Sequence, residues 1–143
     1  MRLIFPLLFC ANATWADCGA SAELFMSCDF GNGKTITVCT DGNIVDYSFG
    51  VSGQSPELAI SLAYQEGAEK VPWTGVGRSI WEAIRLTNND VTYEVYAGFD
   101  RFLAADDTKT LAEVFFGGIV VEDFDGTELA HLRCDPATVN YGY

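Results

Sequence analysis

Four groups of residues in this chain are of types that could do chemistry: one histidine, the cysteines, a glycine-rich stretch around an arginine, and a cluster of carboxylates. His131 lies in Leu129-Ala130-His131-Leu132-Arg133, and any Ser-His-Asp or Cys-His site would have to use it. Strand alternation groups it with Leu129 and Arg133, opposite Ala130, Leu132 and Cys134. If the second set faces the core, His131 is a surface residue. Gly75-Val76-Gly77-Arg78-Ser79 is neither a G-x-S-x-G elbow, because the serine follows the glycines, nor a P-loop, because the lysine and the following helix are missing. Glu122, Asp123, Asp125 and Glu128 surround a turn with part of an EF-hand pattern. The 12-residue spacing and flanking helices are absent, so a solvated hairpin tip is the simpler reading. Nothing singles out a carboxylate pair for glycoside cleavage. The expectation is a non-enzyme with no cofactor and no metal. A small carboxylate-dependent hydrolase and a structural envelope component are the alternatives.

The glycine stretch has a second reading, as a contact surface. Trp73 and Trp81 flank Arg78, and tryptophan and arginine are favoured at binding hot spots. Trp73, Thr74, Gly75, Gly77, Arg78 and Trp81 are therefore the candidate binding residues. The competing reading has both indoles capping the core and Arg78 paired with a carboxylate.

The elements that must position these residues are strands. Glu23 to Asp29, Lys34 to Thr40 and Ile44 to Phe49 alternate apolar and polar residues, separated by Gly31-Asn32-Gly33 and by Asp41-Gly42, a type I′ hairpin signal. Leu58, Ile60 and Leu62 alternate again. Residues 66 to 77 hold three glycines and a proline and read as a long surface loop. Ser79 to Thr87 is the next strand, with Glu82 breaking its alternation, which suggests a bulge or an exposed edge. Val91 to Phe99 is the cleanest period-two run. Residues 104 to 113 have room for one helical turn. Phe115 to Val121 and Glu128 to Cys134 make a final hairpin around Asp125-Gly126. Seven or eight strands without a long helix imply an all-β antiparallel barrel or sandwich, either of which limits exposed edges.

Residues 1–16 read as a secretory signal, with Arg2 ahead of a short apolar run and Thr14-Trp15-Ala16 before the cut. The run is too short to span a bilayer. The mature part, residues 17–143, is sized for one domain. All 20 carboxylates fall in it, against seven of the eight Lys and Arg, a net charge of −13. Nucleic acid is a poor partner for such a surface, and a basic protein a better one. Oligomeric state is open. Cys10 leaves with the signal, and Cys18, Cys28, Cys39 and Cys134 imply two disulfides in a periplasmic or secreted protein. Parity sets Cys28 and Cys39 on opposite faces, and a turn at Asn32-Gly33 would place Cys28 opposite a residue near Thr37. A bulge could still bring the two together, so connectivity stays open, with Cys134 expected to tie the C-terminal strand to the N-terminal region.

The order of these features resembles the bacterial periplasmic inhibitors of c-type lysozyme, small antiparallel β-barrels. Cys28-Asp29-Phe30-Gly31-Asn32-Gly33-Lys34-Thr35-Ile36-Thr37-Val38 is similar to their Cys, Gly, apolar-x-Val opening. Thr74-Gly75-Val76-Gly77-Arg78 falls where that family carries a Ser-Gly-x-x-Tyr loop. Thr74 stands at the Ser and Arg78 at the Tyr, and the family's later Lys-Gly element has no match around Ala97-Gly98. The resemblance implies a binding protein that inhibits a basic enzyme such as lysozyme. For the export reading the expected outcome is a mature protein beginning at Asp17, checked by N-terminal sequencing of the protein recovered from the periplasm or medium. A first residue of Met1 would exclude it.

Overall fold

In the computed structural model, which describes residues 18–142, the alternating segments form ten strands in two antiparallel sheets. The first sheet has the order β10-β1-β2-β3-β4, from β1 (Glu23–Asp29), β2 (Lys34–Thr40), β3 (Ile44–Val51), β4 (Leu58–Ala63) and β10 (Asn140–Tyr141). The second has the order β5-β6-β7-β8-β9, from β5 (Ala68–Val71), β6 (Ser79–Asn88), β7 (Val91–Asp100), β8 (Phe115–Glu122) and β9 (Glu128–Arg133). The sheets face one another as a sandwich and do not close into a barrel. Between β7 and β8 lie two single-turn helices, α1 (Arg101–Ala104) and α2 (Leu111–Val114). A 3₁₀ turn at Pro136–Thr138 precedes β10.

The core forms where the inner faces meet. Met26, Ile36, Val38 and Val45 of the first sheet are fully buried with Ile84, Leu86, Val95 and Ile119 of the second. Each such side chain contributes about 1.5–3 kcal/mol by leaving water. Tyr47 and Tyr93 bridge the layers with ring centroids 5.6 Å apart. Close approach also needs an inner-face glycine: a Cβ on Gly117 would lie 3.3 Å from Cys134 Sγ and 3.7 Å from Met26 Cε.

The two disulfides follow the same division of faces. Cys28, directly opposite Ile36, points into the core and bonds Cys134 just beyond β9, tying one sheet to the other. Cys39, opposite Asp46 on β3, points out of the first sheet and bonds Cys18. The reading that Cys134 ties the C-terminal strand to the N-terminal region holds.

Several expectations change. There are ten strands, not seven or eight, because residues 66–77 contain β5 and the C-terminus supplies β10. Strand β5 was hidden by its glycine and proline neighbours: Gly67 bends the chain at φ 114°, and Pro72, which has no N–H to give a ladder, ends it. Glu82 causes no bulge, since β6 and β7 pair in unbroken register from Ser79↔Asp100 to Asn88↔Val91. It shares the inner parity of Ile80 and Ile84 and lies just past the end of β5. There its carboxylate accepts the Tyr141 hydroxyl at 2.7 Å and pairs with Lys70 at 3.3 Å. Bulges occur instead near Leu24 in β1 and Val121 in β8. At Asp41-Gly42 the hairpin is real but its turn is not type I′: Thr40 pairs with Val45, only Gly42 has positive φ, and Asp41 Oδ1 accepts the amides of Asn43 and Ile44. The two-residue turn with both φ positive is Asn89-Asp90. Two helical turns replace the single one, at the ends of the expected window. Residues 1–16, read as a signal, lie outside the described residues.

Cross-linking removes more unfolded-state entropy from a longer loop. The Cys28–Cys134 bond spans 106 residues and Cys18–Cys39 spans 21, worth about 4.8 and about 3.3 kcal/mol by loop closure. Replacing Cys28 and Cys134 together by alanine is expected to lower the urea midpoint further than replacing Cys18 and Cys39. The reverse order would show that strain or residual structure, not loop length, sets the difference.

Candidate functional site

The glycine stretch connects β5 to β6 at one end of the second sheet. Gly75 and Gly77 take φ of 84° and 109°, so this path suits glycine at both positions. The loop is held from within by Trp73, whose Nε1–H donates to the Val76 carbonyl at 3.2 Å. The Val76 side chain itself stays outward, 79% exposed.

Arg78 enters β6 beside the last residues of β7. Its carbonyl accepts the Arg101 amide at 3.2 Å, and its guanidinium pairs with Asp100. Asp100 has a second task. Its other carboxylate oxygen accepts the amides of Phe102 at 2.9 Å and Leu103 at 3.0 Å, capping α1. One carboxylate thus fixes both the arginine of the loop and the helical turn beside it. Phe102 is 59% exposed and lies under two guanidiniums, with Arg78 Cζ 5.6 Å and Arg101 Cζ 5.2 Å from its ring centroid. Burial by itself raises the Asp100 carboxyl. The Leu103 amide, the Arg78 guanidinium and the Phe102 amide outweigh it and hold the group below its ordinary 3.8.

Of the predicted binding residues, Trp73, Thr74, Gly75, Gly77 and Arg78 are gathered in this loop, and Thr74, Gly75, Gly77 and Arg78 are exposed. Trp81 is not part of the same contact. It stands on the outer face of the second sheet, opposite Gly98. Arg78 has found a carboxylate, as the competing reading held, while more than half of its side chain stays exposed. Sequence reasoning missed Asp100, Arg101 and Phe102, which sit 22 to 24 positions further on. An Asp directly after the cleanest strand and before helix-tolerant residues was the available signal, as a helix N-cap.

The other candidates have structural work. His131 is exposed on β9, its Nε2 2.8 Å from the Tyr96 hydroxyl, and Leu129 and Arg133 are exposed with it as alternation predicted. In the acidic hairpin tip, Asp123 Oδ1 accepts the amides of Asp125 and Thr127, and Asp125 Oδ1 accepts the Thr127 amide and hydroxyl. These carboxylates build the turn. Among the described residues no group of three His, Cys, Asp or Glu is placed to hold a metal ion. Two shallow hollows, of about 540 Å³ and 470 Å³, flank Tyr64 and share no residue with the loop. What the loop offers is a projecting surface. No family model, no curated protein and no solved structure matches this chain.

Because its folded pKa is depressed, Asp100 contributes stability that is present above its unfolded value and lost as pH falls through the folded one. The capped turn is therefore expected to loosen only below about pH 4. Replacing Arg78 with alanine should raise the Asp100 pKa, read by carboxyl ¹³C NMR titration. An unmoved value would mean that the helix amides alone set it.

Proposed function

We propose that this chain is an exported, non-catalytic binding protein whose contact surface is the 72–78 loop together with Phe102. The observation that carries this reading is the exposed Phe102 ring beneath the Arg78 and Arg101 guanidiniums, beside a braced loop that exposes Val76. Aromatic and arginine side chains are what protein interfaces use as anchors, and bracing lowers the entropy lost on docking. Export is supported by the two disulfides, whose Cα atoms stand 5.5 Å and 5.7 Å apart, the ordinary separation for such bonds. Bonds of this kind persist in oxidising compartments, the periplasm or the outside of the cell. Among the described residues no helix is long and apolar enough to cross a membrane.

The partner is a basic protein, in keeping with the charge of −13 on residues 17–143. An inhibitor of a basic enzyme such as lysozyme is the specific form of this proposal, resting on the position of the loop in the order of elements. With Arg78 at the family's tyrosine and already paired to Asp100, the apolar anchors Val76 and Phe102 would carry the contact.

Titration of the oxidised protein against a panel of c-type lysozymes tests this. The expected result is saturable binding, weakened at least about tenfold, or 1.4 kcal/mol, by Val76→Ala combined with Phe102→Ala. Association should also slow as salt rises, because complementary charge steers the encounter. Binding insensitive to both changes would remove the loop from consideration, and no binding to any of the panel would end the inhibitor form.

A further inference from the structure

The outer face of the second sheet carries three aromatic rings that the loop reading does not use. The strand register sets Trp81, Gly98 and Phe116 in one row and Ala83, Tyr96, Gly118 and Arg133 in the next. The glycines decide how two of the rings lie. A Cβ on Gly98 would come within 2.7 Å of Phe116 Cζ, and one on Gly118 would come within 2.5 Å of the Tyr96 hydroxyl. The Phe116 and Tyr96 side chains therefore occupy the space above their neighbours' glycines, lying along the sheet instead of standing off it. All three aromatic residues are half-buried, as expected for rings covered on one side and open on the other. The two short helices pack on one another, α1 also at the end of β7 and α2 on the 3₁₀ turn and at the start of β8.

The polar groups on this face are largely matched already. Arg85 pairs with Glu94, and the Tyr96 hydroxyl bonds His131. Arg133 lies beside Gly118, and the two rows that carry the aromatic rings contain no carboxylate, the nearest being Glu69 and Glu94 beside Arg85 in the row beyond. We infer that this face is a binding platform for a neutral oligosaccharide. The apolar C–H face of a pyranose stacks on a flat ring, and its vicinal hydroxyls can take the spare N–H donors of Arg85 and Arg133. Charge selects the class. A chain at −13 repels a polyanion or a second copy of itself, and two rows that hold Arg133 and no carboxylate offer a basic protein little. A neutral ligand meets neither obstacle. The backbones of Trp81 and Phe116 are two strands apart, about 10 Å, but the Phe116 ring reaches back over Gly98 toward Trp81. With Tyr96 one row along, the rings gather into one compact platform for a short sugar chain to stack on.

This inference does not rest on the loop. The test is calorimetric titration of the oxidised wild-type protein with cellohexaose, chitohexaose and maltohexaose, followed by NMR of the aromatic rings. Expected are saturable binding of at least one sugar, unchanged from low to high salt, and shifts in the Trp81, Tyr96 and Phe116 ring signals. Trp81→Leu should weaken binding about tenfold or more. The ring shifts, measured on the wild-type protein, decide the matter even if that variant folds poorly. Absence of binding by all three sugars, or binding that leaves the three rings unmoved, overturns the proposal. Neither result bears on lysozyme binding through Val76 and Phe102.

Discussion

A β-strand gives each residue one of two faces, and here each sheet has one face that must be dry. That constraint governs the rest of the structure. It places Met26, Ile36, Val38, Ile84, Leu86, Val95 and Ile119 inward, where their burial supplies the driving force for folding. It sends Cys28 inward and Cys39 outward, so the two cysteines of one hairpin cannot bond each other and must each find a partner elsewhere. Cys28 consequently locks the first sheet to the end of the second.

The same architecture separates the two proposed contact surfaces. Arg78 and Phe102 meet just beyond the start of strand β6 and the end of strand β7. Trp81, Tyr96 and Phe116 are fixed on the outer face by the register of β6, β7 and β8. Asp100 joins the end of the sheet to the turn beyond it, because its two oxygens serve different elements. Local order at the loop thus comes from a few polar contacts made at the edge of a rigid sandwich. Rigid sheets presenting exposed loops are a common way to carry a binding site.

Much of this was legible from the residue pattern. Period-two alternation located eight strands nearly to their ends, and it put His131, Leu129 and Arg133 on the surface. Of the two missed strands, β5 is four residues long between a glycine and a proline and β10 only two residues long, both too short for alternation to register. Glu82 looked like a break because its partners, Tyr141 and Lys70, lie 59 and 12 positions away and belong to elements that only the fold brings together. The arginine of the loop was found, while Asp100 and Phe102 were not, since the local mark of Asp100 is only that of a helix N-cap and nothing local ties it to an arginine 22 residues earlier.

By itself, then, the sequence determined the strand class, the inward set of side chains, the opposition of Cys28 and Cys39, and the glycine-rich loop as the place to look. These come from local rules, the alternation of a pleated chain and the turn chemistry of Gly, Asn and Asp. Only the tertiary structure decided sandwich over barrel, the disulfide pairs, the use of Asp100, and the laying of Tyr96 and Phe116 over Gly118 and Gly98. Those depend on which strands become neighbours, and pairing between distant segments is set by the packing of the whole core, not by any window of residues.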